Sequence, residues 1–544
     1  MITIEDKSQL FIQKRIFMKT VLLVQEHIIE ILECGFTVLW HKIALVLQRL
    51  SKPLLSFLYP IAVLLKIEWS AAYYFMGEKL LSEKMIMQVH ADVNRALIDE
   101  MENRVIAYLQ KAIDLKPSWL LPYYTLYTVL HSSFKLEDQL NIMHKIVELQ
   151  NDRAESSQLD QLDIEFIAPD VAIGSIGVYS VLDTYIRAGI LGLRPQKKLV
   201  ILLSPRMAIN NPCYLNYWSR YVTVISDPLA IAYLSPLEKC LTKKIFHFVS
   251  FHDRILNIVA AHKVVNRQWD AENRPPILTL LTEDYERGWD CLRSLGMPEG
   301  AWFVCLHVRE PGWRDEGSSS QAFRNCDIKT YFSAIKTVVD AGGWVVRIGD
   351  PVSMTPLHPM DNVIDYAHSD AKSDWMDVFC CAQCSFIIGT PSGMWPISSA
   401  FGVPLIMTNM LPANLAFDFS SQDIFIPRLC WSIKENRYLT FRELLSFPVA
   451  VATTQFSFDR LGLKIEQNTE EDINEAVTEM MKRLDKTLEY SNEDEIRQER
   501  FRSQTSSSFY GEKSISVNAR IGKDFLCEHK HLLEDCGMEE RKGV

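Results

Sequence analysis

Three short stretches of this chain carry residues of the right type and spacing to hold an anion. The first is Cys305-Leu306-His307-Val308-Arg309-Glu310. On an extended backbone alternate side chains point the same way, so His307 and Arg309 share a face. An arginine there suits a diphosphate, because its planar fork makes bidentate, charge-assisted bonds and stays cationic at any working pH. Glu310 or Asp315 could instead hold that arginine as a structural ion pair. The second stretch is Val346-Arg347-Ile348-Gly349-Asp350. Its glycine frees a turn, and Asp350 beyond it could hold a ribose hydroxyl, orient an arginine or stabilise an Asx-type turn. The third is Gly389-Thr390-Pro391-Ser392-Gly393, where hydroxyls and backbone N–H groups leave an apolar strand and open a helix. Capping by Thr390 or Ser392 at that helix start would itself build an anion site, and the macrodipole favours negative charge there.

These stretches need a sheet to converge on. Strands are expected at Trp302–Val308, Trp344–Ile348, Phe386–Ile388 and Val403–Thr408. Between the first two, Ile328, Tyr331, Phe332, Ile335, Val338 and Val339 follow helical spacing up to Gly342-Gly343. Ser373 opens another helix through Trp375, Val378 and Phe379, with Asp374 and Asp377 as favourable first-turn acids. An earlier unit reads extended over Ile164–Ile173, turns at Gly174-Ser175-Ile176-Gly177, is helical over Val178–Leu191 and extended again over Lys198–Leu203. Gly174 and Gly177 line a cleft in this reading, although a Gly-x-x-Gly also serves close helix–strand packing. Asn273-Arg274-Pro275-Pro276 separates the two units. Strands alternating with amphipathic helices imply doubly wound parallel sheets, whose ligands sit outside the carboxyl ends of the strands.

Composition bounds the alternatives. With 544 residues and 48% hydrophobic residues the chain supports several domains and a sizeable core. A net charge of −11 argues against a general nucleic-acid binder. The twelve cysteines are irregularly spaced, and Cys380, Cys381 and Cys384 read as reduced, buried thiols, not as zinc ligands. Glu5 and Asp6 precede a helical pattern broken by Lys14, Arg15 and Lys19 with no cleavage-type end, so export is not expected. The nearly uncharged run Pro53–Leu65 is short for a membrane span and is followed by Lys66 and Glu68; buried helices are expected there, with a membrane-surface contact as the alternative. The segment Ala107–Gln150 reads as successive helices broken at Lys116-Pro117, similar to one tetratricopeptide-type unit or to a plain helical bundle.

The order of these motifs, from Cys305–Glu310 through Arg324-Asn325-Cys326-Asp327 and Arg347–Asp350 to Ser373–Asn409, resembles a family of bacterial glycosyltransferases. They are distant kin of fucosyltransferases whose His-x-Arg strand end binds a nucleotide-sugar diphosphate. The resemblance covers Ile164–Leu484, with Arg520–Leu533 as an added tail. It implies an α/β protein with two Rossmann-like domains of the GT-B type, preceded by an all-helical, tetratricopeptide-like region. The expected boundaries are 1–155 helical, 160–275 acceptor-side, 276–465 nucleotide-sugar-binding and 466–544 terminal helices. It further implies a metal-independent transfer of a hexosyl or fucosyl group from a nucleoside-diphosphate sugar to a saccharide acceptor, in the cytoplasm or at the inner membrane face, during cell-surface polysaccharide assembly. No cofactor and no nucleic acid are implied, and the helical terminus would be the surface for a protein partner. Arg309 would stabilise the leaving diphosphate, His307 would support it, and Thr390, Ser392 and Gly393 would bind its phosphates. Arg324, Asn325, Arg347, Gly349 and Asp350 match further family motifs, while Gly174–Gly177 lacks the family's usual arginine and histidine. Charge developing on the diphosphate would meet fixed donors, and Glu310, Asp315 or Asp350 would serve as base, with Glu310 placed in the catalytic set. An epimerase and a catalytically silent scaffold are the rival expectations.

Overall fold

A computed structural model describes residues 59–60, 69–87, 95–156, 161–174, 176–241, 245, 247–311, 320–412, 420–504 and 519–533. The expectations for the amino terminus and for Asp315 and Ser175 lie outside these residues. The described residues up to Leu81 together with Arg104–Pro122 form one compact unit, and Ser82–Asn103 with Tyr123 onward form another. In the first unit Tyr74 packs edge-on against Trp119, and Gly77 lies against Leu109. No helix among the described residues is long and apolar enough to cross a membrane.

Both parallel sheets belong to the second unit. The smaller runs β1 (Ile164–Phe166), β2 (Lys198–Leu202) and β3 (Val222–Ile225), in the order β1-β2-β3 and all parallel. β1 is far shorter than the extended run expected from sequence. Pro169 adopts helical angles and starts the short helix Asp170–Ile173, which ends the strand. The helix Tyr179–Ile190 follows, and it packs against Ile258–Ala271, a helix capped by the Asn257 side chain on the N–H of Ala260. A hairpin of β4 (Phe248–Ser250) and β5 (Ile255–Asn257) receives the rings of Tyr124 and Tyr127 on Phe248.

The larger sheet is built from β6 (Phe303–His307), β7 (Trp344–Arg347), β8 (Val363–Ile364), β9 (Ile387–Gly389), β10 (Leu405–Met410) and β11 (Ile424–Pro427). After a small antiparallel sheet of β12 (Leu429–Ser432), β13 (Arg437–Tyr438) and β14 (Leu463–Glu466), the chain returns as β15 (Arg520–Ile521). The order is β15-β11-β10-β9-β6-β7-β8, every pairing parallel. Near-continuous apolar runs such as Phe303-Val304-Cys305-Leu306 are what a strand covered on both faces requires, and all four are buried. From β6 the chain winds outward through β7 and β8, then crosses back to β9 on the other side of β6. The topological switch point therefore lies between the carboxyl ends of β6 and β9, the place where open α/β sheets bind ligands.

Candidate functional site

The two strands at the switch point are in register from Cys305↔Ile387 to His307↔Gly389, so His307 ends β6 directly beside the Gly389-Thr390-Pro391-Ser392-Gly393 turn. The His307 Nδ1 lies 3.0 Å from Ser392 Oγ. Thr390 is fully buried; its hydroxyl accepts from the Arg309 N–H at 3.0 Å, and its own N–H donates to the His307 carbonyl at 3.2 Å. Thr390 and Ser392 thus tie the turn to β6 and do not cap a helix. The following helix is only Trp395–Ala400, its N-cap is Met394 without a side-chain bond, and Pro396 occupies its first turn. A dipole from six residues, starting several positions after Gly389, contributes little, so the anion character of this rim comes from side chains.

Those side chains are cationic. Arg309 Nε donates to Asn325 Oδ1 at 3.1 Å. Arg324 Nε donates to the Pro391 carbonyl at 2.7 Å, and its Nη1 donates to Gln321 Oε1 at 2.9 Å. Arg324 is therefore held by neutral acceptors. Burial and the neighbouring Arg309 charge pull its pKa down to about 10. His307 is pulled down to about 4, first by burial and then by the positive charges of Arg309, Arg347 and Arg324, so its imidazole is neutral at physiological pH. Gly349, at φ +142°, permits the turn after β7, where an added Cβ would strike Met354 and crowd the His307 ring.

Two residues assigned from sequence to the site, Arg347 to substrate and Glu310 to catalysis, face inward instead. Arg347 is fully buried and pairs with Glu310, whose other oxygen accepts from the Thr355 N–H at 3.1 Å. A second carboxylate, Asp365, lies 3.7 Å from Arg347 Nη1. Glu310 and Arg347 thus neutralise one another inside the protein. Together they clamp the ends of β6 and β7 to the loop beyond Pro351, because a buried charge demands a partner. Asp350 is exposed and accepts from the Val352 N–H at 3.1 Å, the Asx-type role that the sequence left open.

The glycine turn of the smaller sheet meets the same place. A Cβ on Gly177 would lie 3.0 Å from Gly393 Cα, and one on Gly393 would lie 3.0 Å from Ile176 Cγ2. The two glycines let the two turns touch backbone to backbone, which is a packing role across the halves. Gly174 closes the helix Asp170–Ile173, and its carbonyl accepts from Asn210 Nδ2 at 2.7 Å. Sequence reading missed Gln321, the Pro391 carbonyl and Asp365, all of which act through contacts between distant positions. Elsewhere, Asp472, Glu528 and His529 bring one ligand atom each within 4.8 Å of one another, a grouping that could hold a cation. Cys305, Cys380, Cys381 and Cys384 are buried free thiols.

No family model matches the chain, and no curated protein matches it. Among solved structures it is similar to the bacterial iron-containing dodecameric glycosyltransferase TibC from enterotoxigenic E. coli, at 13% identity over 60% of this chain and 77% of that one, with a TM-score of 0.32. A second structure of TibC, described as a heptosyltransferase in complex with ADP-D-beta-D-heptose, matches at 13% identity over 59% and 77%, with a TM-score of 0.31. The likeness is distant, so the reading of this chain rests on its own residues.

Proposed function

We propose that this protein is a metal-independent glycosyltransferase of the GT-B type, moving a sugar from a nucleoside-diphosphate donor to a saccharide acceptor in cell-surface polysaccharide assembly. The observation that carries the reading is the cationic pair at the switch point: Arg324, bonded among the described residues only to neutral acceptors, stands beside Arg309. Two guanidiniums that repel one another are relieved by a multiply charged anion, and a diphosphate supplies one with matching planar acceptors. As the glycosidic bond breaks, negative charge gathers on that diphosphate, and donors already in place lower the barrier; losing one typically costs about a hundredfold in rate or more. The neutral His307, braced by Ser392, presents its ring as a hydrogen-bonding group without adding charge repulsion. The location follows the same reading, with the protein in the cytoplasm and its helical terminus toward a partner or the inner membrane face.

The test is thermal unfolding with UDP, GDP and ADP, since a ligand bound only by the native state raises the melting temperature. At least one should stabilise the wild type, and Arg309→Ala and Arg324→Ala should abolish that rise while keeping native circular dichroism. A wild type indifferent to all three, or an Arg309→Ala variant with an undiminished response, removes the transferase reading.

A further inference from the structure

Beyond Asn325 lies an open pocket of about 540 Å³, within the size range of small-molecule sites, lined among others by Phe323, Asn325, Arg428, Gln455, Asp459 and Lys464. Arg428 follows β11 and so stands on the same carboxyl rim as Arg309. It is 3% exposed. One terminal nitrogen donates to the Asn325 carbonyl at 2.7 Å and to Cys326 Sγ at 3.0 Å, while Nε has no hydrogen-bond partner. Among the described residues no carboxylate pairs with this guanidinium, in contrast to buried Arg347, which has two. A buried cation without a counter-charge is costly unless a ligand supplies one.

We propose that this pocket takes a sugar ring bearing a carboxylate, with Arg428 as the group that recognises it; the proposal deepens the transferase reading and rests on it for the sugar's relation to the diphosphate. Charge sets the ligand's valence. Lys464 lies 4.0 Å from Glu466, so among the described residues the positive lining charge without a carboxylate partner is the single one of Arg428, which matches a monoanionic carboxylate and not a phosphate dianion. Polarity sets the rest. Asn325 and Gln455 offer amide donors and acceptors for ring hydroxyls, and Phe323 offers an apolar face. Position ties the pocket to the chemistry, because Asn325 accepts from Arg309 through its side chain and from Arg428 through its carbonyl. The sugar would enter either attached to the donor diphosphate or as the end of the acceptor.

Isothermal titration on the full chain separates these sources. Its two arms are trigalacturonate against a neutral trisaccharide, and UDP-glucuronate against UDP-glucose. The expected result is a carboxylate preference of about tenfold in one arm, of the size a charge-assisted bond supplies. Preference for the free trisaccharide marks an acceptor, and preference confined to the nucleotide sugars marks a donor. Arg428→Gln should erase the preference. Lys464→Glu, at the solvent edge and so tolerant of substitution, should weaken it by setting a second carboxylate beside Glu466 at the pocket while leaving the response to UDP intact. Equal binding of charged and neutral sugars, binding of neither, or a preference that survives both substitutions overturns the proposal. A carboxylate preference without any nucleoside-diphosphate response supports the pocket and overturns the transferase reading alone.

Discussion

The rims of the two parallel sheets were built to opposite ends. At the carboxyl edge of the seven-stranded sheet, Arg309, Arg324 and Arg428 gather positive charge, and Glu310 with Arg347 locks the strands beneath. At the facing edge of the three-stranded sheet stand Gly174 and Gly177, which offer backbone and no charge. Its own polar cluster lies deeper, where Thr184 bonds His262 and Arg187 bonds Asp183 and Asn266 between two helices. One rim is cationic, whereas the other meets it backbone to backbone. Each half also keeps a neutral histidine bonded to a hydroxyl, His307 on Ser392 and His262 on Thr184, but only the first is on the rim.

The contrast can be broken most forcefully at the clamp. Glu310→Ala strands the Arg347 charge inside the sheet and should lower unfolding free energy by about 3 kcal/mol or more in urea titration, softened by Asp365. A Glu310→Ala protein of unchanged stability but lost turnover would restore the catalytic role that the sequence gave this residue.

The second test concerns the interior histidine of the smaller half. Burial holds the His262 pKa down to about 3, against an ordinary value of 6.5. Between those values the unfolded chain binds a proton that the folded chain refuses, so this contribution to stability is lost as pH falls below 6.5. The loss should reach about 2 kcal/mol near pH 5, and His262→Asn should therefore be less damaging there than near neutral pH by about that amount. Asp423 and Glu475, both raised to about 7 chiefly by burial, act with the opposite sign, so the difference between the two proteins is the quantity to follow. A variant equally destabilised at both pH values would mean that His262 is not held neutral.

A smaller effect is expected where the rims touch. Gly177→Ala places a methyl 3.0 Å from Gly393 Cα and should cost about 1 kcal/mol in thermal unfolding. No change at all would mean that the two turns are not pressed together. Smallest is Asp350→Asn, which preserves a capping oxygen and should alter stability by no more than a few tenths of a kcal/mol. Weaker binding of UDP or GDP by Asp350→Asn would return this carboxylate to the nucleotide site.

Much of the larger half was legible in one dimension. The expected strands at Trp302, Trp344, Phe386 and Val403 match β6, β7, β9 and β10 to within two residues at every end, because apolar runs are a local signal. Arg309, Arg324, Asn325 and Ser392 were all marked, and they converge. Contacts that depend on which strands are neighbours were not legible. Nothing in local spacing announces that Glu310 meets Arg347 across 37 positions, or that Thr390 bonds Arg309 across 81. Arg428 was overlooked for the same reason. It follows an apolar segment without a glycine turn, and it stands out because no carboxylate among the described residues pairs with it.

The Glu310–Arg347 clamp has one more implication, for behaviour in salt. Enclosed in protein and shielded from counterions, it holds the β6 and β7 termini in place at any ionic strength. Arg309 and Arg324 above it are partly open to solvent, and their pull on an anion fades over a distance of about 8 Å at physiological salt. Concentrated electrolyte should therefore silence the rim while the scaffold beneath it stays intact.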